Sequence, residues 1–217
     1  SHELRTPLAA VLGAIKTIRR RDVEIDPEQR EALMGMIEDE SVRLAGIVSQ
    51  ILLAGQLDAG RLHLSIEQFD PVALAQSVVD SAETHLPDGI DLKVHSSGDV
   101  PRVAGDPNQL HQVLSNLLDN AIKYSPQGGH IELRLNRDGD YARIEIADNG
   151  LGIPRDEQGR IFEKFYRLDP ALTRGVSGTG LGLYISRELV ERMKGRISVK
   201  SEPGRGSTFV VEVPLAV

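Results

Sequence analysis

Cysteine is absent from this chain of 217 residues. Its absence excludes disulfides and thiolate metal sites, and is compatible with a reducing compartment. No apolar run is long enough to span a bilayer as a helix, and no signal peptide is visible. A basic stripe of the kind that binds nucleic acid is missing as well. The net charge is −7, and the arginine run at 19–21 is too short to count and belongs on a solvated loop. There is no internal repeat and no low-complexity segment. What is present, 40% hydrophobic and 26% charged residues, is the composition of a globular chain of one or two domains.

The first sixty residues are helical in pattern. Leu4, Leu8, Val11, Leu12, Ile15 and Ile18 recur at steps of three and four, which predicts an amphipathic helix over residues 3–19. Pro7 is out of place in it, because it donates no N–H and its ring crowds the carbonyl of Glu3. Either the stretch is not a helix, or it bends beside His2. After a polar link, Asp26 reads as an N-cap and Pro27 as the first residue of a second helix reaching about Leu57. Leu33, Ile37, Leu44, Ile47, Val48, Ile51 and Leu52 form its apolar stripe. Two long helices with a short link make an antiparallel hairpin. A lone hairpin cannot bury both stripes, so the expectation is a homodimer in which two hairpins form a four-helix bundle. The alternative is a hairpin packed on its own downstream domain. The stretch "GQLDAGRL" at 55–62 marks the boundary, giving domains 1–60 and 61–217.

Beyond it, helices and strands are mixed without βαβ alternation. Strands are predicted at 64–69, 90–96, 130–136, 141–147, 196–201 and 207–213, and helices at 71–86, 107–124 and 181–193. The helix from 107 is capped by Asp106 and Pro107, with Leu110, Val113, Leu114, Leu117, Leu118 and Ala121 inward. Hairpin turns are expected around Asp138-Gly139 and in "EPGRG". The fold class is α+β, with helices on one face of a mostly antiparallel sheet.

Three stretches carry chemistry only in combination. Asn116 and Asn120 share a helix face, and Lys123 and Tyr124 continue that edge. Amide oxygens there suit a hard cation such as Mg²⁺, Lys123 suits phosphate, and Tyr124 suits a base. Taken alone, this is also an ordinary polar helix edge. In "DNGLGIP", Asp148 ends a strand and could accept a hydrogen bond from an exocyclic amine, with Gly150 and Gly152 allowing close backbone approach; a plain turn is the common alternative. "GTGLGL" at 178–183 opens a helix, where backbone N–H groups favour anions. It lacks the Gly-Lys-Ser/Thr of a Walker loop and the preceding strand of a dinucleotide fingerprint. About two dozen residues separate the glycine clusters, a length that suits a lid, with Phe162 and Phe165 as candidate anchors.

In this order and spacing, "SHELRTPL", "NLLDNAIKYS", "DNGLGIP", "FEKFYR" and "GTGLGL" resemble the five conserved boxes of bacterial sensor histidine kinases. The resemblance covers nearly the whole chain. It implies a dimerisation and histidine-phosphotransfer hairpin followed by an α/β sandwich ATP-binding domain of the gyrase and histidine-kinase type. It further implies that ATP, with Mg²⁺, phosphorylates His2. The phosphoryl group then passes to an aspartate on a response-regulator receiver domain. Glu3 matches the residue that takes or orients the imidazole proton, and Thr6 the one that orients water for dephosphorylating the regulator. Asn120 matches the Mg²⁺ ligand with Asn116 in support, Lys123 and Tyr124 the phosphate and adenine contacts, and Asp148 the adenine-reading carboxylate. Gly150, Gly152, Ile153, Gly178, Thr179, Gly180, Leu181 and Gly182 complete the implied nucleotide site, and Arg167 is a γ-phosphate contact. A bend at Pro7 would let His2 move between a kinase pose and a transfer pose.

Two rival functions are weighed against this one. Gyrase-type hydrolysis uses a glutamate four residues before the metal-binding Asn to activate water; here that residue is Asn116. A degenerate nucleotide-sensing scaffold would lack some of the boxes, and none is missing. The chain starts one residue before His2, so upstream segments are expected to precede it, and the resemblance implies that the parent protein is anchored in the bacterial cytoplasmic membrane. Without the turns before His2, the chain is expected to bind ATP well but to autophosphorylate and dimerise weakly.

Overall fold

Asp26 and Pro27 open the second helix as their chemistry predicts. The Asp26 carboxylate accepts from the Gln29 N–H at 2.7 Å, and Pro27 occupies the first turn, where its missing N–H costs nothing. The computed structural model describes residues 2–20, 25–126, 128–169, 173, 176 and 178–216, without the side chain of His2. Helix α1 (His2–Ile18) runs unbroken through the buried Pro7, so of the two options at that proline the helix is realised. Helix α2 (Pro27–Asp58) returns antiparallel to it.

The hairpin buries only part of its apolar surface. Pro7, Ala14, Ile47, Ala54 and Leu57 are enclosed, whereas Leu8, Leu12, Ile15, Val48, Ile51 and Leu52 stay exposed. The apolar stripe is wider than one neighbouring helix can cover.

The rest of the chain is a sheet with helices on one face. A small antiparallel pair, β1 (Glu67–Phe69) and β3 (Val103–Gly105), precedes the main sheet. The five main strands are β2 (Ile90–Ser96), β4 (Gly129–Asp138), β5 (Tyr141–Asp148), β6 (Arg196–Glu202) and β7 (Gly206–Pro214). Their order is β2-β4-β5-β7-β6, with β2 and β4 parallel and every other neighbouring pair antiparallel. Helices α3 (Pro71–Glu83), α4 (Pro107–Lys123) and α5 (Gly182–Arg192) cover one face. All six α4 residues expected inward are buried, against alternating strand residues such as Leu133, Ile144 and Ile146. The opposite face carries a charge ladder, in which Arg143 meets Glu145 two residues along the same strand at 2.7 Å and Glu212 on the neighbouring strand β7 at 3.3 Å.

Some boundaries differ from expectation for local reasons. The strand expected at 64–69 keeps only its last three residues, because its partner β3, which alternation did not reveal, is itself three residues long. The β4–β5 turn is Gly139-Asp140, with Gly139 left-handed at φ 59°.

Asp106 does more than cap α4. Its Oδ1 accepts from the Asn108 and Gln109 N–H groups at 3.0 and 3.2 Å, while Oδ2 accepts from the Ser65 N–H at 2.9 Å. The carboxylate is 4% exposed, so these three N–H groups take the place of its water. Asp106→Ala is therefore expected to destabilise the chain by about 2–4 kcal/mol, the loss of a cap plus the charged hydrogen bond that ties α4 to Ser65. Urea unfolding of both chains measures it, and a change under 1 kcal/mol would exceed no ordinary cap loss.

Candidate functional site

The site begins with the last turns of α4. Asn116, Asn120 and Lys123 project from one face because they are spaced four and three apart, and Tyr124 caps the helix. Across from them, β5 ends at Asp148 and the chain turns sharply. Two glycines let this turn sit against neighbouring backbone. A Cβ on Gly150 would lie 2.2 Å from the Tyr124 carbonyl oxygen, and one on Gly152 (φ 69°) 2.0 Å from that of Glu202. The N-terminus of α5 closes the third side. There Gly182 passes so close to Asn116 that a Cβ would lie 2.3 Å from its Oδ1, and the Asn116 amide donates to Ser186 Oγ at 2.9 Å.

These elements enclose two adjoining chambers. The inner one, about 80 Å³, is walled by Asp148, Ile153, Tyr166 and Phe209 among others. The outer one, about 300 Å³, is walled by Glu3, Arg43, Gln50, Asn116, Lys123 and Thr179 among others. Asn120 and Tyr124 line both. The inner end carries the Asp148 carboxylate and the Arg167 guanidinium, and the outer end is lined by Lys123, Arg43 and Glu3.

Asp148 is held rigidly. Its Oδ1 accepts from the N–H groups of Gly150 at 2.9 Å and Ser207 at 3.2 Å, which leaves Oδ2 for a ligand. Burial pushes its carboxyl above the ordinary value, and the two backbone bonds offset part of that rise. Burial likewise raises the Tyr124 phenol. Burial lowers the Lys123 ammonium, and Arg167 and Arg43 lower it further by repulsion, against the pull of Glu3 and Asp119.

The hairpin supplies one wall of the outer chamber. Glu3 accepts from Arg167 Nη1 at 2.6 Å and lies 4.0 Å from Arg43. Thr179 Oγ donates to Gln50 Oε1 at 2.7 Å. At the end of α2, Asp58 accepts from Tyr184 at 2.7 Å and pairs with Lys164, and Arg192 donates to the Leu57 carbonyl at 2.6 Å. The Asp58 bond and burial push the Tyr184 phenol up to about 12, burial being the larger cause.

The structure gathers most of the sequence-derived residues. Glu3, Asn116, Asn120, Lys123, Tyr124, Asp148, Gly152, Ile153, Arg167, Gly178, Thr179, Gly180 and Gly182 all line one or other chamber. Three do not. Thr6 is exposed on α1 away from both, Gly150 supports the turn from behind, and Leu181 is buried in the core at 1% exposure. His2 is the first residue of α1, one position from Glu3; its side chain lies outside the described residues. Part of the expected lid does too, with 170–172, 174, 175 and 177 outside the description. Of its two candidate anchors, Phe162 packs edge-on against Phe209 with ring centroids 6.4 Å apart. Phe165 instead points outward at 65% exposure. A left-handed backbone (φ 62°), which its N–H bond to the Gly180 carbonyl accompanies, turns it away. Ser207, Phe209 and Tyr166 were not anticipated; the last lay inside "FEKFYR", but nothing in spacing singled it out.

A group with phosphate and sugar fits this donor set better than a metal cluster. Among the described residues no three His, Cys, Asp or Glu side chains converge on one point. Asn120 sits where the chambers meet, and an amide oxygen suits a Mg²⁺ that takes its other ligands from phosphates and water.

The first turn of the helical hairpin, through Glu3, lines the same cleft as Asn116, Asn120 and Lys123 of the sandwich. The sequence model of the family described as "Histidine kinase-, DNA gyrase B-, and HSP90-like ATPase" matches residues 105–217, and that of the "His Kinase A (phospho-acceptor) domain" matches residues 1–60. The chain belongs to the histidine kinase family. It is 37% identical over 219 residues to the circadian input-output histidine kinase CikA of Synechococcus elongatus, covering 99% of this chain and 29% of that protein. Full-length ShkA, solved in complex with AMPPNP, superimposes with a TM-score of 0.76 at 30% identity, covering 100% of this chain and 45% of that one. Histidine kinase ThkA, solved in complex with the response regulator protein TrrA, gives 0.74 at 26% identity, covering 99% and 59%. The chain spans less than a third of the length of the curated relatives it matches first.

Proposed function

We propose that this chain is the kinase core of a two-component signalling protein, in which ATP phosphorylates His2 and a response-regulator aspartate then receives the phosphoryl group. One observation carries the reading: the cleft runs continuously from a buried carboxylate, Asp148, to the first turn of α1, where His2 and Glu3 lie. Asp148 Oδ2 accepts the exocyclic amine of adenine, and Tyr124 covers the base. Asn120 holds Mg²⁺, with Asn116 in support. Lys123 and Arg167 neutralise phosphate charge, which is where phosphoryl transfer gains most. Held there, a Mg²⁺ would supply positive charge that offsets the phosphates.

The imidazole of His2 then attacks the γ-phosphorus in line. An N–P bond forms, the bond to the β,γ-bridging oxygen breaks, and ADP leaves. The ring N–H proton passes toward Glu3. Neutral imidazole is abundant near pH 7, so little pKa adjustment is needed. Residues 1–60 act as the phosphotransfer hairpin and 61–217 as the catalytic domain, a division supported by α2 ending at Asp58. Thr6, exposed on α1, remains the candidate for orienting a dephosphorylating water on the docked regulator.

Two partners follow. The exposed face of Leu8, Leu12, Ile15, Val48, Ile51 and Leu52 receives a second copy to complete a four-helix bundle. A receiver domain docks near His2, a partner class supported by the structure of ThkA in complex with the response regulator protein TrrA. Segments outside this chain anchor the parent protein to a membrane, with this core on the cytoplasmic side. Among the described residues no helix is long and apolar enough to cross one.

Hydrolysis of the gyrase kind is disfavoured because the position four before Asn120 is Asn116, whose amide is engaged with Ser186. Incubation with γ-labelled ATP separates these readings. The expected label is acid-labile and base-stable, present on the natural chain and absent from His2→Gln. Equal labelling of both, or phosphate release without labelling, would refute transfer to His2.

A further inference from the structure

The outer chamber holds a cation that the family boxes do not include. Arg43 is on α2, about forty residues from His2 and eighty from Lys123 in the chain, yet it lines the same cavity as Glu3, Asn120 and Lys123. Its neighbours are Glu40 at 3.6 Å, one turn earlier, and Glu3 at 4.0 Å. Both distances are those of loose ion pairs on a partly exposed side chain, which contribute little to stability. Three cations, Lys123, Arg167 and Arg43, thus stand around the Glu3 carboxylate, with Glu40 beside Arg43 and Asp119 one turn behind Lys123. Their mutual repulsion shows in the lowered Lys123 ammonium, where burial acts first and the two arginines add to it. Three cations clustered at a half-enclosed chamber suit a polyanion, and guanidinium groups match phosphate geometry.

We propose that Arg43 is a γ-phosphate contact supplied by the hairpin, and that the arriving phosphate takes Arg43 and Arg167 away from Glu3. In the empty chain Glu3 accepts from Arg167 at 2.6 Å and faces Arg43 at 4.0 Å, so its oxygens are engaged by guanidinium groups. Once the triphosphate engages the arginines, the carboxylate is released beside the histidine. The hairpin thereby senses the third phosphate directly, and the base becomes available only when a transferable group is present. The inference rests on the nucleotide reading of the cleft given above.

Calorimetric titration of this chain, its Arg43→Ala and Arg43→Lys variants and Glu3→Gln tests it, using AMP, ADP and a non-hydrolysable ATP analogue with Mg²⁺. Arg43→Ala is expected to weaken the triphosphate analogue roughly 10-fold or more, the scale of a charge-assisted hydrogen bond, while AMP changes less than about 2-fold. Arg43→Lys is expected to recover part of the loss. Glu3→Gln, which frees both arginines, is expected to tighten the analogue and leave AMP unchanged. A uniform loss across all three nucleotides, or no loss at all, would overturn the role of Arg43 while leaving the nucleotide site standing. Failure of the natural chain to bind any of the three would remove the site itself, and this inference with it.

Discussion

Asp148→Asn is expected to weaken adenine nucleotide binding roughly 10- to 100-fold, the range of one hydrogen bond to a charged group. The geometry explains why so small a change costs so much. Gly150 and Ser207 both donate to Oδ1, so the amide oxygen of the variant stays with them and its NH₂ faces the chamber. A donor then meets the donor of the adenine amine in a buried space of about 80 Å³. The same residue gives a pH signature. Burial raises the Asp148 carboxyl above its ordinary value, so it is protonated in the folded chain at a pH where the unfolded chain still ionises it. Acidification through that window stabilises the empty fold, because the folded state binds more protons there. It also removes the acceptor that adenine needs, so affinity falls while apo stability rises. Titrations at stepped pH on the natural chain and on Asp148→Asn check both signs. An affinity slope that survives in the variant would show that another group carries it.

Gly152→Ala is expected to lower stability by about 2–5 kcal/mol, the sum of a strained left-handed residue and an overpacked contact. Gly152 has φ 69°, and an added Cβ would lie 2.0 Å from the Glu202 carbonyl oxygen, where backbone cannot easily give way. The contact ties the turn after Asp148 to β6, as does the bond from the Ile153 N–H to Ser201 Oγ at 2.7 Å. Displacing it moves Ile153 off the wall of the inner chamber, so nucleotide affinity should fall together with stability. Gly139→Ala is the comparison. It shares the left-handed backbone, at φ 59°, but a Cβ there meets nothing within 4 Å. Thermal melting should place Gly152→Ala roughly 2–12 °C below Gly139→Ala, the overpacking part alone. Equal melting points would show that the Glu202 contact is not a constraint.

Much of the fold is legible because it depends on neighbours in sequence. The inward stripe of α4, the Asp-Pro starts of α2 and α4, and the alternation of β4 and β5 follow from side-chain periodicity and the needs of helix termini. The edge formed by Asn116, Asn120 and Lys123 is equally local. Elements that depend on a distant partner are harder to see. Strand β3 is three residues long and exists through its pairing with β1. Leu181 lies among the glycines of "GTGLGL" and looks like part of a binding loop, yet it is buried under α5. Phe165 has the composition of an anchor, but its backbone turns it outward.

By itself, the sequence determined the helical faces, the α+β class and the set of groups able to meet a nucleotide, because each of these is a matter of spacing along one element. The tertiary structure alone decided which hairpin residues join them. Glu3 reaches Arg167 across 164 positions and Gln50 reaches Thr179 across 129. No periodicity spans such separations, since contacts of that range arise only when two independently patterned surfaces dock. The inner half of the site is therefore a property of the sandwich, and the outer half is a property of how the sandwich sits on the hairpin.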